Sequence, residues 1–192
     1  SPGEGTTSDP TGDPQVLADG TLHWEAEDYS GGTAAVSGTD YYDATAGNSG
    51  GQYRRHNVAL EACGEGGYDI GWTAAGEWLK SRFTGGGAYR ILVRHAGTAD
   101  ATVRVEIDGV NASGAVALPA TGAWQSWATA TGPAVSVASG PHTVRLIADA
   151  AGFNVNWIRL APTAAPAPGP TAATWSTGFE PGEPGGAAGA AF

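Results

Sequence analysis

The sequence predicts an all-β fold, a β-sandwich or barrel of antiparallel strands. Three observations carry that prediction. The first is residue choice. The 192 residues include 31 glycines and only nine lysines and arginines, and methionine is absent. Val, Thr, Tyr and Trp dominate the ordered-looking stretches, and these types suit a pleated, half-buried surface. The second is a period of two. In YRILVRH (89–95), Tyr89, Ile91 and Val93 alternate with Arg90, Leu92 and Arg94. In TVRVEID (102–108), Val103, Val105 and Ile107 share one face, and HTVRLIAD (142–149) repeats the scheme. Strands with one wet face belong to antiparallel sheets. The third is frequent turn chemistry: GGG at 85–87, DG at 108–109, TG at 121–122 and SGP at 139–141. No segment carries a helical stripe.

The ends differ from the middle. Residues 1–20 are rich in Pro, Gly, Ser, Thr and Asp and read as a flexible lead-in. Residues 21–161 hold the alternating segments and are expected to be the folded domain; within it, 30–57 is weakly patterned and reads as long loops. Residues 162–192 read as a Pro/Ala/Gly-rich linker followed by the truncated start of a next domain. Two linker-like ends suggest a segment of a longer protein.

Charge and composition narrow the function. The net charge of −10 would repel a phosphate backbone, which argues against nucleic-acid binding. It suits the solubility of an exported protein and leaves carboxylates for a cation. No stretch approaches the roughly 20 apolar residues of a membrane helix. The single cysteine, Cys63, excludes an internal disulfide and reads as a small half-buried residue.

Few residues suggest catalysis. There is no HExxH, and His23, His56, His95 and His142 are scattered. Glycoside hydrolysis needs two carboxylates across a cleft. Glu25 and Glu27 of WEAEDY, or Glu61 and Glu65, are the available acids. On a strand, positions 25 and 27 face the same side, and paired carboxylates repel unless a cation separates them. A calcium ion with its six to eight oxygen ligands answers that need; two solvated acids are the plain alternative. Six tryptophans (24, 72, 78, 124, 127 and 157) exceed what one sandwich core needs, so at least one exposed ring is expected. An exposed ring beside polar hydrogen-bonding groups is a platform for a sugar.

The ordered blocks WEAEDY (24–29), GGYDIGWTAAGEWL (66–79), GAYRILVRHAG (87–97), VRVEIDG (103–109), LPATGAWQSW (118–127), GPHTVRL (140–146) and FNVNWIRL (153–160) resemble family 6 carbohydrate-binding modules, with family 35 modules as the nearest neighbours. The resemblance implies a β-jelly-roll of two antiparallel sheets. It implies a non-catalytic module, monomeric and tethered to a secreted bacterial glycoside hydrolase. By motif position it implies a loop-end cleft with Trp72 and Trp124 as rings, Asn154 as the amide and Glu61 as a further contact. Trp78 matches the aromatic residue of a second cleft on the concave sheet face. Glu25, Glu27 and Asn156, with backbone carbonyls, match the ligands of a structural calcium. β-Glucan or xylan is the expected ligand. The alternatives are a non-binding spacer sandwich and a small jelly-roll glycosidase.

Overall fold

A computed structural model describes residues 11–163. The expected linker and next-domain start at 164–192, and the first ten residues of the lead-in, lie outside the described residues. Eleven strands carry the fold: β1 (Gln15–Val16), β2 (Leu22–Glu25), β3 (Tyr41–Tyr42), β4 (Leu60–Ala62), β5 (Tyr68–Ile70), β6 (Trp78–Ala96), β7 (Ala101–Ile107), β8 (Val110–Asn111), β9 (Val116–Leu118), β10 (Ala128–Ala148) and β11 (Asn154–Pro162). Every strand pairing is antiparallel.

Two layers form because β6 and β10 are long enough to serve both. Lys80–Phe83 of β6 pair with His142–Arg145 of β10, and β3 and β7 flank this half. Tyr89–His95 pair with Ala128–Val135, and β11 and β2 continue that half. Hydrogen bonding is therefore continuous from one layer to the other. This changes the reading of two expected turns. The glycines at 85–87 and SGP at 139–141 lie inside β6 and β10, where the paired strands bend together. A side chain at Gly86 would sit 2.6 Å from Ser139 Cα, so only glycine permits that approach. DG at 108–109 does turn the chain: Asp108 and Gly109 both take positive φ, as a two-residue hairpin requires.

The predicted alternation fills the space between the layers. Ile91, Val93, Val103, Val105, Leu60 and Leu160 are fully buried, while Arg90 faces out. Residues 11–20, expected within the flexible lead-in, instead dock on the sandwich. β1 pairs with β2, Asp13 bonds Arg82, and the Gly12 carbonyl accepts from the buried Trp24 indole at 3.2 Å. Composition suggested disorder there; the partner that a buried indole requires supplied the order.

Candidate carbohydrate-binding cleft

The tryptophans divide by position. Trp24 is buried, and Trp78, Trp127 and Trp157 are half-buried. Trp72 and Trp124 are 54% and 46% exposed. They come together with Glu61, Thr73, Gly152 and Asn154 around one cleft of about 250 Å³. That is just under the usual small-ligand range of about 300–1,000 Å³.

Local sequence explains each position. Trp72 follows β5 and takes φ 50, a left-handed conformation unusual for a bulky residue. Gly71 before it lies against Asn154, where a Cβ would meet Oδ1 at 3.2 Å. Thr73 staples this loop to the start of β11: its hydroxyl donates to the Phe153 carbonyl at 2.7 Å and accepts from the Phe153 N–H at 3.1 Å. The Trp124 loop is pinned in the same manner. Thr121 N–H donates to the Gly97 carbonyl at 2.8 Å, and Thr121 Oγ1 accepts from Gly97 N–H at 2.9 Å. Both rings are thus exposed on loops tied at their bases.

The floor is polar and buried. Asn154, the first residue of β11, directs its Nδ2 to Glu61 Oε1 (2.8 Å), Asp69 Oδ1 (3.1 Å) and the Trp124 carbonyl (3.2 Å). Gln125 Nε2 donates to Glu61 Oε1 (3.0 Å) and Asp69 Oδ2 (2.8 Å). Asp69 is fully buried, and burial pushes its pKa up to about 6, against the hydrogen bond from Gln125. Cys63 is buried beside this floor, and burial pushes its thiol up to about 12. Asp69, Gln125 and Thr73 were not singled out from sequence. Asp69 offered one signal, an acid at an inward position between apolar neighbours.

Trp78 lies elsewhere. It opens β6 opposite Tyr42 and Ile147, with the Arg145 guanidinium 5.0 Å from its ring centroid. The space beside it is about 30 Å³, walled largely by core residues such as Val58, Ile70 and Leu146. Glu65, a candidate acid, is held by Arg94 in an ion pair.

The expected calcium ligands lie around the C-terminal end of β2, though not by strand parity, and Glu25 Oε1 is paired with His23 Nε2 at 2.8 Å. Glu25 ends β2, and Glu27 lies in a 3-10 turn, Ala26–Asp28, so the two-residue repeat stops between them. Asn156 sits where the β6–β11 register slips, which also breaks its alternation with Asn154. Trp157 pairs with Glu25 in register and places Asn156 beside that turn. Glu27 accepts from Tyr68 N–H through Oε1, while its Oε2 is buried without a donor. Asn156 gives its Nδ2 to Glu65, and its Oδ1 is likewise buried without a donor. Burial lifts the Glu27 pKa to about 8, with Glu25 adding repulsion. Among the described residues no three His, Cys, Asp or Glu side chains converge, so any cation here would depend on the Asn156 amide and backbone carbonyls as well. Two orphaned hard oxygens beside a further carboxylate fit a calcium-like ion.

Comparison with known proteins bears on this geometry. No curated protein matches the sequence. Among solved structures, the C-terminal family 6 module of a marine laminarinase from Zobellia galactanivorans is 29% identical, with a TM-score of 0.57 over 73% of this chain and 98% of that one. A family 6 module of Cellvibrio mixtus lichenase 5A, in complex with cellotriose, is 28% identical, with a TM-score of 0.52 over 74% and 97%. A family 6 module from Clostridium cellulolyticum in complex with xylose, 24% identical, shares the fold with a TM-score of 0.54 over 72% and 95%. The model of carbohydrate-binding module family 6 matches residues 25–162, and the chain belongs to that family.

Proposed function

We propose that this carbohydrate-binding module takes a β-glucan or xylan chain in the cleft between Trp72 and Trp124. The observation that carries the reading is two exposed indoles over a hydrogen-bonded polar floor. A pyranose ring lays its C–H face on an indole, and its hydroxyls need directional partners. Asn154 commits its Nδ2 to the floor, so its Oδ1 accepts from a sugar hydroxyl. Glu61 is half-buried at the cleft and accepts from another. The Cellvibrio mixtus module seen with cellotriose supports a β-glucan.

Glu61 is the only carboxylate lining the cleft among the described residues, and Asp69 is sealed beneath it. Hydrolysis by a carboxylate pair therefore has no second acid in reach, in keeping with a non-catalytic module. Trp78 would serve a second, separate face. A calcium ion held by Glu25, Glu27 and Asn156 would satisfy the orphaned oxygens and brace the turn after β2. In the setting that the family resemblance implies, a monomeric module tethered to a secreted bacterial glycoside hydrolase would raise the effective concentration of enzyme on its polymer.

The test is retention on a panel of soluble and insoluble glycans, comparing wild type with Trp72→Ala and Trp124→Ala. Binding to one glycan class that both substitutions abolish is expected. Binding nowhere by a folded chain would favour a spacer domain, and sugar release by the isolated chain would favour a glycosidase.

A further inference from the structure

At the base of the cleft lies an arrangement that costs stability, centred on the fully buried Asp69. Glu61 and Asp69 face each other directly across β4 and β5. Like charges in that position repel. Asp69 is also completely buried, which penalises its charge further. Two amide groups offset this. Gln125 Nε2 and Asn154 Nδ2 each reach both carboxylates, so one amide lies against either end of the pair. The amide orientations follow from this chemistry: turning either group over would set a carbonyl oxygen against two carboxylates. Gln125 is fixed at its other end too, because its Oε1 accepts from Gly64 N–H at 2.7 Å.

We infer that Asp69 and Gln125 are positioning residues of this cleft, forming a carboxylate–amide clamp that presets Asn154 and Glu61 for a sugar, with ionised Asp69 as the competent form. The inference rests on the reading of the cleft as the sugar site. Asp69 meets no ligand itself. Its role is to take one hydrogen of the Asn154 amide, which turns the amide oxygen away from the floor. Gln125 neighbours Trp124 in sequence, so the clamp also ties the aromatic platform to the polar floor.

Protonation loosens the clamp. A protonated Asp69 carries an O–H where it previously accepted N–H groups, and one amide loses one of its two carboxylate partners. Burial raises this carboxyl to about 6, so the loss falls in a mildly acidic range. The other titratable groups around β5 are few. β4 brings Glu61, and the residue just after that strand, Cys63, has a thiol that stays protonated throughout. The turn after β2 brings Glu27 and Asp28, both raised by burial. One strand beyond β11, burial lowers the pKa of His95 of β6. Only Asp69 among these groups bonds the Asn154 and Gln125 amides together with Glu61, so its protonation sets the sign: affinity is full well above pH 6 and falls as pH drops through it.

The experiment measures affinity of the full chain for cellohexaose, laminarihexaose and xylohexaose by calorimetry from pH 5 to 8. Wild type is expected to weaken several-fold between pH 7 and 5. Asp69→Asn places a second N–H donor against the floor amides, so it is expected to bind on the order of tenfold more weakly at pH 7 and to show a flat profile. Gln125→Ala, at an exposed position, serves if Asp69→Asn fails to fold, and it too should weaken binding in a chain that still unfolds cooperatively. Trp124→Ala is the control. If it abolishes binding while the clamp variants keep both wild-type affinity and profile, the clamp is wrong and the cleft stands. If Trp124→Ala binds like wild type, or wild type binds none of the three sugars, the cleft reading fails and the clamp with it.

Discussion

The tryptophans at the loop end and those on the sheet faces are the same residue in two different situations. Trp78 and Trp157 lie along strands, and a guanidinium covers each ring: Arg145 at 5.0 Å and Arg159 at 4.0 Å. Trp72 and Trp124 stand on loops, each about half exposed, with no such cover among the described residues. Their loops are stapled, and one carries backbone strain. The difference teaches that an exposed indole signals a binding platform only where its polar surroundings are already satisfied from below and its face is left free. A capped ring contributes packing and a cation–π contact of about 0.5–1 kcal/mol.

The largest effect expected from this contrast is on binding. Trp124→Ala should lower glycan affinity on the order of a hundredfold, about 3 kcal/mol. Trp78→Ala should leave affinity at the loop-end cleft unchanged. Equal losses in both would dissolve the distinction. Next comes the ion proposed at Glu25, Glu27 and Asn156. Calcium at a hundredfold excess over its dissociation constant should stabilise the fold by about 2.7 kcal/mol. In scanning calorimetry that is a rise of roughly 5–10 °C over EDTA-treated protein. A melting temperature indifferent to calcium would remove the metal from the account. The third contrast is in stability. Trp78→Ala should cost about 2 kcal/mol through lost burial. Trp72→Gly should cost nothing and gain up to about 1 kcal/mol, because glycine accepts the left-handed backbone that tryptophan resists. Chemical denaturation of both variants checks this, and a destabilised Trp72→Gly would show that the ring packs rather than waits.

Much of this was legible before any coordinates. Alternation gave the strands, since Tyr89, Ile91 and Val93 had only one face on which to bury. The ordered blocks pointed to the jelly roll, and their motif positions named four residues that meet at one cleft: Glu61, Trp72, Trp124 and Asn154. What stayed hidden has physical reasons. Gln125 and Asp69 are 56 residues apart, and no periodicity links a loop amide to a strand carboxylate. The glycines at 85–87 read as a turn because bending a strand and reversing it call for the same residue. Residues 11–20 read as disordered because composition cannot reveal that Trp24 needs the Gly12 carbonyl. The parity argument for Glu25 and Glu27 does not hold, since a 3-10 turn rather than a strand separates them.

The most direct test of the central claim follows the indole N–H signals by NMR during titration with a bound oligosaccharide, each assigned by single substitution. The account predicts that the Trp72 and Trp124 signals shift together and saturate at one affinity, while buried Trp24 stays in place. A shift confined to Trp78, with Trp72 and Trp124 unmoved, would contradict it.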